Sequence, residues 1–157
     1  MQRSQPRFHL WTDRIFRTVA PPVSVLIVDD DHAVADALAH ALEAAGMRVT
    51  VAVGGAAAMH ATQQWTPYLV ILDIQMSDAD GFTVARALRT LYRLASVPFI
   101  AHTSLAEREV IDRGKAALID AYCRKGKSVN SLLCLIGQLA PISAAEPTVE
   151  SRGARET

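Results

Sequence analysis

The chain has 157 residues, half of them hydrophobic, with 16 basic and 16 acidic side chains. That balance leaves no global field to recruit nucleic acid or an anionic membrane surface, and the length suits one domain with an adequate core. Two cysteines, Cys123 and Cys134, make neither a disulfide framework nor a four-ligand zinc site and read as reduced thiols; no apolar run approaches the roughly 18 residues that span a bilayer.

The expectation is a soluble cytoplasmic domain with no membrane span and no direct contact to nucleic acid. Residues 1–22 carry four arginines and one acid and end in Pro21-Pro22. Phe8, Trp11, Ile15 and Val19 fall at helical spacing, so this extension reads as a short amphipathic helix or a disordered arm. The core pattern begins at Val23, and residues 1–20 are therefore expected to be dispensable for folding.

From there the chain alternates. "VSVLIV" is a continuous apolar run, followed by a helix with Val34, Ala35, Leu38, Ala41, Leu42 and Ala45 on one face, stopped by Gly46. "MRVTVAV" is a second strand, and Ala56 to Trp65 a weaker helix. "YLVILDI" is a third strand, ended by the turn-rich "QMSDADG". A helix with Val84, Ala85, Leu88, Leu91 and Tyr92 follows. "VPFIAHTS" is a fourth strand, Leu105 to Leu118 a charged helix and "DAYCRK" a fifth strand. Ser128 to Leu139 closes the series on a stripe of Val129, Leu132, Leu133 and Ile136. Apolar runs alternating with helices indicate parallel strands covered on both faces. The predicted fold is α/β, a doubly wound five-stranded parallel sheet with five helices over residues 23–140. The polar tail, residues 141–157, reads as disordered.

The charge pattern then becomes informative. Sites in such folds lie outside the carboxyl ends of the strands. The first strand ends at Asp29-Asp30-Asp31, the third at Asp73, the fourth at Thr103-Ser104 and the fifth at Lys125. Several carboxylates, a hydroxyl and an ammonium converge on one rim, a set that suits a hard cation and a phosphoryl group. Asp31 reads as the cap of the first helix rather than a ligand. His32, Asp36 and His40 read as a solvated helix face, and His102 as an ordinary histidine near the rim. "SDADG" fails the calcium-loop pattern because Met76 and Ala87 hold its first and twelfth positions.

The stretches "VLIVDDD", "LVILDIQMSDADGF", "FIAHTS" and "AYCRK" resemble the receiver domain of two-component response regulators, including the single-domain chemotaxis type. The intervals of 30 residues from Asp73 to Thr103 and 22 from Thr103 to Lys125 fit that family. The resemblance implies flavodoxin-like strand order and Asp73 as phosphoacceptor, with a histidine kinase or phosphotransfer protein as donor. It implies Mg²⁺ held by Asp29, Asp30, Asp73 and the Gln75 backbone carbonyl. Lys125 and the Thr103 hydroxyl would bind phosphoryl oxygens, and Tyr122 would be the aromatic that turns inward when Thr103 moves.

The function so implied is a stand-alone receiver without a separate catalytic output domain, switching a downstream partner, with a homodimer face on the helix from Leu105, the strand at Tyr122 and the last helix. Two other readings stay open: a degenerate receiver serving as a scaffold, and an aspartyl-phosphate hydrolase, which would need an acid at Gln75. Gly126 stands where the family usually has proline, so a trans Lys125–Gly126 bond is expected; Ser77 stands at another common proline position.

Overall fold

The structure is a computed structural model that describes residues 8–126 and 128–143. Six strands form one sheet. β1 spans Phe8–Leu10, β2 Ser24–Val28, β3 Arg48–Ala52, β4 Leu69–Leu72, β5 Phe99–Thr103 and β6 Ala121–Arg124. Four helices connect β2 through β6, α1 His32–Ala44, α2 Gly55–Gln63, α3 Gly81–Arg89 and α4 Glu107–Ala116, and α5 Asn130–Leu139 follows β6. The strand order is β1-β6-β5-β4-β2-β3, parallel throughout except for β1. None of the described helices is long and apolar enough to cross a membrane.

The continuous apolar runs are explained by two cores, one on each side of the sheet. Leu26, Val28, Val70, Leu72 and Phe99 pack on one side with Phe82, Val84 and Leu88 of α3. Val25, Ile27, Leu69, Ile71 and Ile100 pack on the other with Ala35 and Leu42 of α1 and Leu132, Leu135, Ile136 and Leu139 of α5. Alternate residues of Val25–Val28 in β2 and of Leu69–Leu72 in β4 serve opposite cores, so those stretches leave no position for a polar residue. Burying a side chain such as Leu26 or Phe99 contributes about 1.5–3 kcal/mol. Helix α1 ends where Gly46 takes φ +90°, a conformation that favours glycine.

Several sequence expectations are corrected. Residues 8–19 form no helix: Phe8–Leu10 is a strand added antiparallel to the outer edge of β6, with Phe8 opposite Cys123 and Leu10 opposite Ala121. The helical spacing was accidental, since Ile15 is 96% exposed while Trp11 packs on α4. The sheet therefore has six strands rather than five. Val34 is exposed and Ala39 takes its place in the buried stripe of α1. Tyr92 lies beyond the end of α3 and is 93% exposed. The tail begins in order: the N–H of Val19 donates to Pro141 O and that of Ser143 to Val19 O. Its remainder, from residue 144, and residues 1–7 lie outside the described residues.

A buried charge ties the extension to the domain. Asp120, 3% exposed, accepts from Arg89 Nη2 at 2.8 Å, from Arg14 Nε at 3.1 Å and from the N–H of Phe99 at 2.8 Å. Arg89 stacks over the Phe99 ring at 3.6 Å and donates to the carbonyls of Leu94, Val97 and Leu118. Burial pushes the Arg89 pKa down to about 10 against the opposing pull of Asp120. Removing one partner of a buried pair strands the other charge. Asp120→Asn is expected to cost about 3–5 kcal/mol in urea denaturation; a loss below about 1 kcal/mol would mean that Arg89 recovers its solvation elsewhere.

Candidate functional site

The sheet order brings the site together. β2 lies between β3 and β4, and Val28 pairs with Leu72, so Asp29 and Asp73 leave adjacent strands side by side. The N–H of Asp73 donates to Val28 O at 2.8 Å and fixes that register. Thr103 pairs with Arg124, which sets Lys125 one step beyond it, and the Lys125 N–H donates to Thr103 O at 2.8 Å. Asp29 and Asp73 are 4% and 6% exposed, buried by the cores that hold their strands.

Asp29, Asp30 and Asp73 each present a carboxylate oxygen within 4.8 Å of the others. Lys125 Nζ lies between two of them, 2.8 Å from Asp29 Oδ2 and 3.3 Å from Asp73 Oδ2. Asp29 Oδ1 accepts from the N–H of Asp31, and Asp73 Oδ1 from the N–H of Gln75 at 3.2 Å. Burial raises the Asp73 pKa to about 6, with the Asp29 charge adding to it and Lys125 opposing. The Lys125 pKa is raised: burial works to lower it, and the hydrogen bond to Asp29 and the Asp73 charge outweigh that. Asp30 behaves differently, its pKa lowered by the Ser77 N–H that donates to Oδ2 at 2.7 Å. A proline at that position could not make this bond.

The other sequence candidates fall as follows. Thr103 is fully buried, and its Oγ1 accepts from the N–H of Leu105 at 3.2 Å. Tyr122 is 3% exposed and donates its hydroxyl to Leu105 O at 2.7 Å. Gln75 is exposed, its side chain accepting from Ser104 Oγ. Asp31 caps α1 by accepting from the Val34 N–H, outside the carboxylate cluster. His32 pairs with Asp36 on the solvated face of α1. Half-buried His102 has its pKa pushed down to about 4, by burial first and then by the Lys125 charge. The Lys125–Gly126 bond is trans.

Two contributors escaped sequence reasoning. At Gly81 a side-chain carbon would lie 2.2 Å from the Asp73 carbonyl oxygen, so glycine is what lets the start of α3 press against the strand end. Its place directly before the α3 stripe was the available signal. The second is Trp11, which stacks on Tyr122 with ring centroids 5.7 Å apart; nothing in the order of residues connects the two.

Residues 25–136 match the response regulator receiver domain family. The DNA-binding dual master transcriptional regulator RpaA of Synechocystis is 34% identical over 115 residues, 73% of this chain and 48% of RpaA. A gliding motility regulatory protein of Myxococcus xanthus is 36% identical over 69% of this chain and 14% of its own length. The chain thus spans about half or less of these relatives. A 14.6 kDa protein of Leptolyngbya boryana is 34% identical over 74% of this chain and 88% of that one. Among solved structures, Vibrio cholerae chemotaxis protein CheY4 is similar with a TM-score of 0.72 and 26% identity, over 74% of this chain and 98% of that one. TrrA of Thermotoga maritima, solved in complex with Mg²⁺-BeF, has a TM-score of 0.66 and 25% identity over 74% and 98%. With residues 25–136 matching the family model and relatives at 34–36% identity over 69–74% of the chain, the chain belongs to the response regulator receiver domain family.

Proposed function

We propose that this receiver is phosphorylated on Asp73 by a histidine kinase or phosphotransfer protein in a magnesium-dependent phosphorelay, and that the phosphoryl group switches binding of a downstream protein. The observation that carries the reading is one buried carboxylate, Asp73, facing two further acids with Lys125 Nζ at 3.3 Å. The donor set fits Mg²⁺: three carboxylates close together, one of them a buried Asp73 whose pKa burial raises to about 6. Asp29, Asp30 and Asp73, with the Gln75 carbonyl, would hold the ion. Once bound, it neutralises charge on the phosphoryl oxygens.

The chain's own residues do the rest. An Asp73 oxygen attacks phosphorus, the bond to the donor imidazole breaks, and the electron pair returns to that nitrogen. With a pKa of about 6, Asp73 is ionised at neutral pH yet more basic than a solvated aspartate. Lys125 turns from the Asp73 carboxylate to a phosphoryl oxygen, and the Thr103 hydroxyl meets another. The Thr103 hydroxyl can donate to the phosphoryl oxygen while still accepting from the Leu105 N–H, so its movement draws on the peptide whose carbonyl Tyr122 holds, giving a local charge change a packed element to bias.

Acetyl phosphate with Mg²⁺ should add one phosphoryl group by intact mass, and Asp73→Asn should abolish it. Labelling of Asp73→Asn at the parent level would overturn the assignment. Protons should also compete with the metal. Mg²⁺ affinity should fall as pH drops through about 6, approaching tenfold per pH unit below it, because the protonated Asp73 is not a ligand. A metal titration that is flat from pH 7 to pH 5 would remove Asp73 from the ligand set.

A further inference from the structure

We propose that Phe8–Arg14 is a clip that holds Tyr122 inside the domain, and that Trp11 is a positioning residue for phosphorylation of Asp73. The proposal rests on the phosphoacceptor reading above. Its starting point is that the segment is built into the fold at both ends. β1 pairs with β6 so that His9 lies opposite Tyr122, and the N–H groups of Trp11 and Thr12 both donate to Asp120 O, at 2.7 and 3.1 Å. Arg14 then grips the Asp120 carboxylate and the Ala95 carbonyl.

Between these anchors the Trp11 ring has a prepared seat. It stacks on Tyr122 at an interplanar angle of 17°, and its Nε1 donates to Glu107 Oε1 at 3.2 Å, while His9 Nδ1 pairs with the other oxygen of that carboxylate. The floor of the seat is Gly114 in α4, where an added side-chain carbon would stand 2.2 Å from Trp11 Cζ3. Glycine is a poor choice within a helix; here its bare backbone admits the indole. Trp11 therefore covers the Tyr122 ring on the side where it would otherwise meet solvent at the sheet edge.

A contiguous set of contacts runs from that seat to the rim. The Tyr122 hydroxyl donates to Leu105 O, the Leu105 N–H donates to Thr103 Oγ1, and Thr103 O accepts from the Lys125 N–H. A phosphoryl group that engages Thr103 and Lys125 fixes the loop carrying the Leu105 carbonyl, and so favours the buried Tyr122 on which Trp11 stacks. Coupling is reciprocal: a seated Trp11 favours the phosphorylated arrangement by the same factor. While seated, the segment also fills the β6 edge, which is then closed to strand addition by any other chain.

The test is a beryllofluoride titration of the full chain in saturating Mg²⁺, followed by calorimetry, with a separate Mg²⁺ titration. Trp11→Ala and Gly114→Ala remove the seat from opposite sides, and both should weaken beryllofluoride binding by about fivefold or more. Trp11→Phe, which keeps a stacking ring, should recover most of the affinity, and Mg²⁺ affinity should be unchanged in all three. Parent-level beryllofluoride affinity in both seat variants would overturn the coupling while leaving the phosphoacceptor reading intact. An equal loss of Mg²⁺ affinity would reduce Trp11 to a general folding role and overturn it as well. Failure of the parent chain to bind beryllofluoride at all would instead remove the phosphoacceptor reading, and the coupling with it.

Discussion

One ammonium group between two buried carboxylates holds this rim together. Like charges about 4 Å apart repel by about 1 kcal/mol in water and about 4 kcal/mol near a protein surface, and three carboxylates here lie within 4.8 Å of one another. Lys125 offsets part of that repulsion by contacting Asp29 and Asp73 together. The Asp73 pKa is nonetheless raised to about 6, by burial first, with the Asp29 charge adding to it and Lys125 opposing. Three carboxylates against one ammonium leave the rim short of positive charge, a deficit that a bound cation would relieve. The sheet order serves this arrangement, since only adjacent β2 and β4 could hold two acids side by side against their repulsion.

Much of this was legible in the sequence because it is local or strictly periodic. Each apolar run gave a strand, and the residue after each run gave the rim, so Asp29, Asp73, Thr103 and Lys125 could be read in order. The cap role of Asp31 followed from its place before an apolar helix stripe. The failures are the long-range pairings. Asp120 owes its burial to Arg14 and Arg89, 106 and 31 residues away, and no local pattern links them. β1 is three residues long, too short for alternation to appear, and the spacing of Phe8, Trp11, Ile15 and Val19 pointed to a helix. What decided its conformation was the unpaired edge of β6, which local propensity cannot anticipate.

The two departures from the family pattern have different physical weight. Gly126 replaces a residue that would constrain the backbone, and the observed trans bond is the low-energy outcome for a non-proline residue. Lys125 still reaches both carboxylates, so its position is set by β6 and by the bond from its N–H to Thr103 rather than by the residue after it. Ser77 adds something instead. Its N–H donates to Asp30, stabilising that carboxylate as an anion and fixing one of its oxygens. The acidic pair is thereby split into two kinds of group, Asp29 committed to the lysine and Asp30 committed to the loop after β4.

The same division runs through the molecule. Asp29, Asp73 and Lys125 stand directly at strand ends, whereas Leu105, which links Thr103 to Tyr122, sits on the loop after β5. Leu105 is the joint, because its N–H and its carbonyl are held by different side chains, Thr103 and Tyr122. A shift of Thr103 toward the rim pulls on one end of that peptide and is felt at the other. Tyr122 cannot answer by swinging out unless Trp11 leaves its seat on Gly114, and Trp11 cannot leave freely while β1 is paired and Arg14 holds Asp120. The stiffness of the extension thus decides whether movement at Thr103 is absorbed by the loop or transmitted to the edge of the sheet. An extension with a free arm would have left that choice to the loop alone.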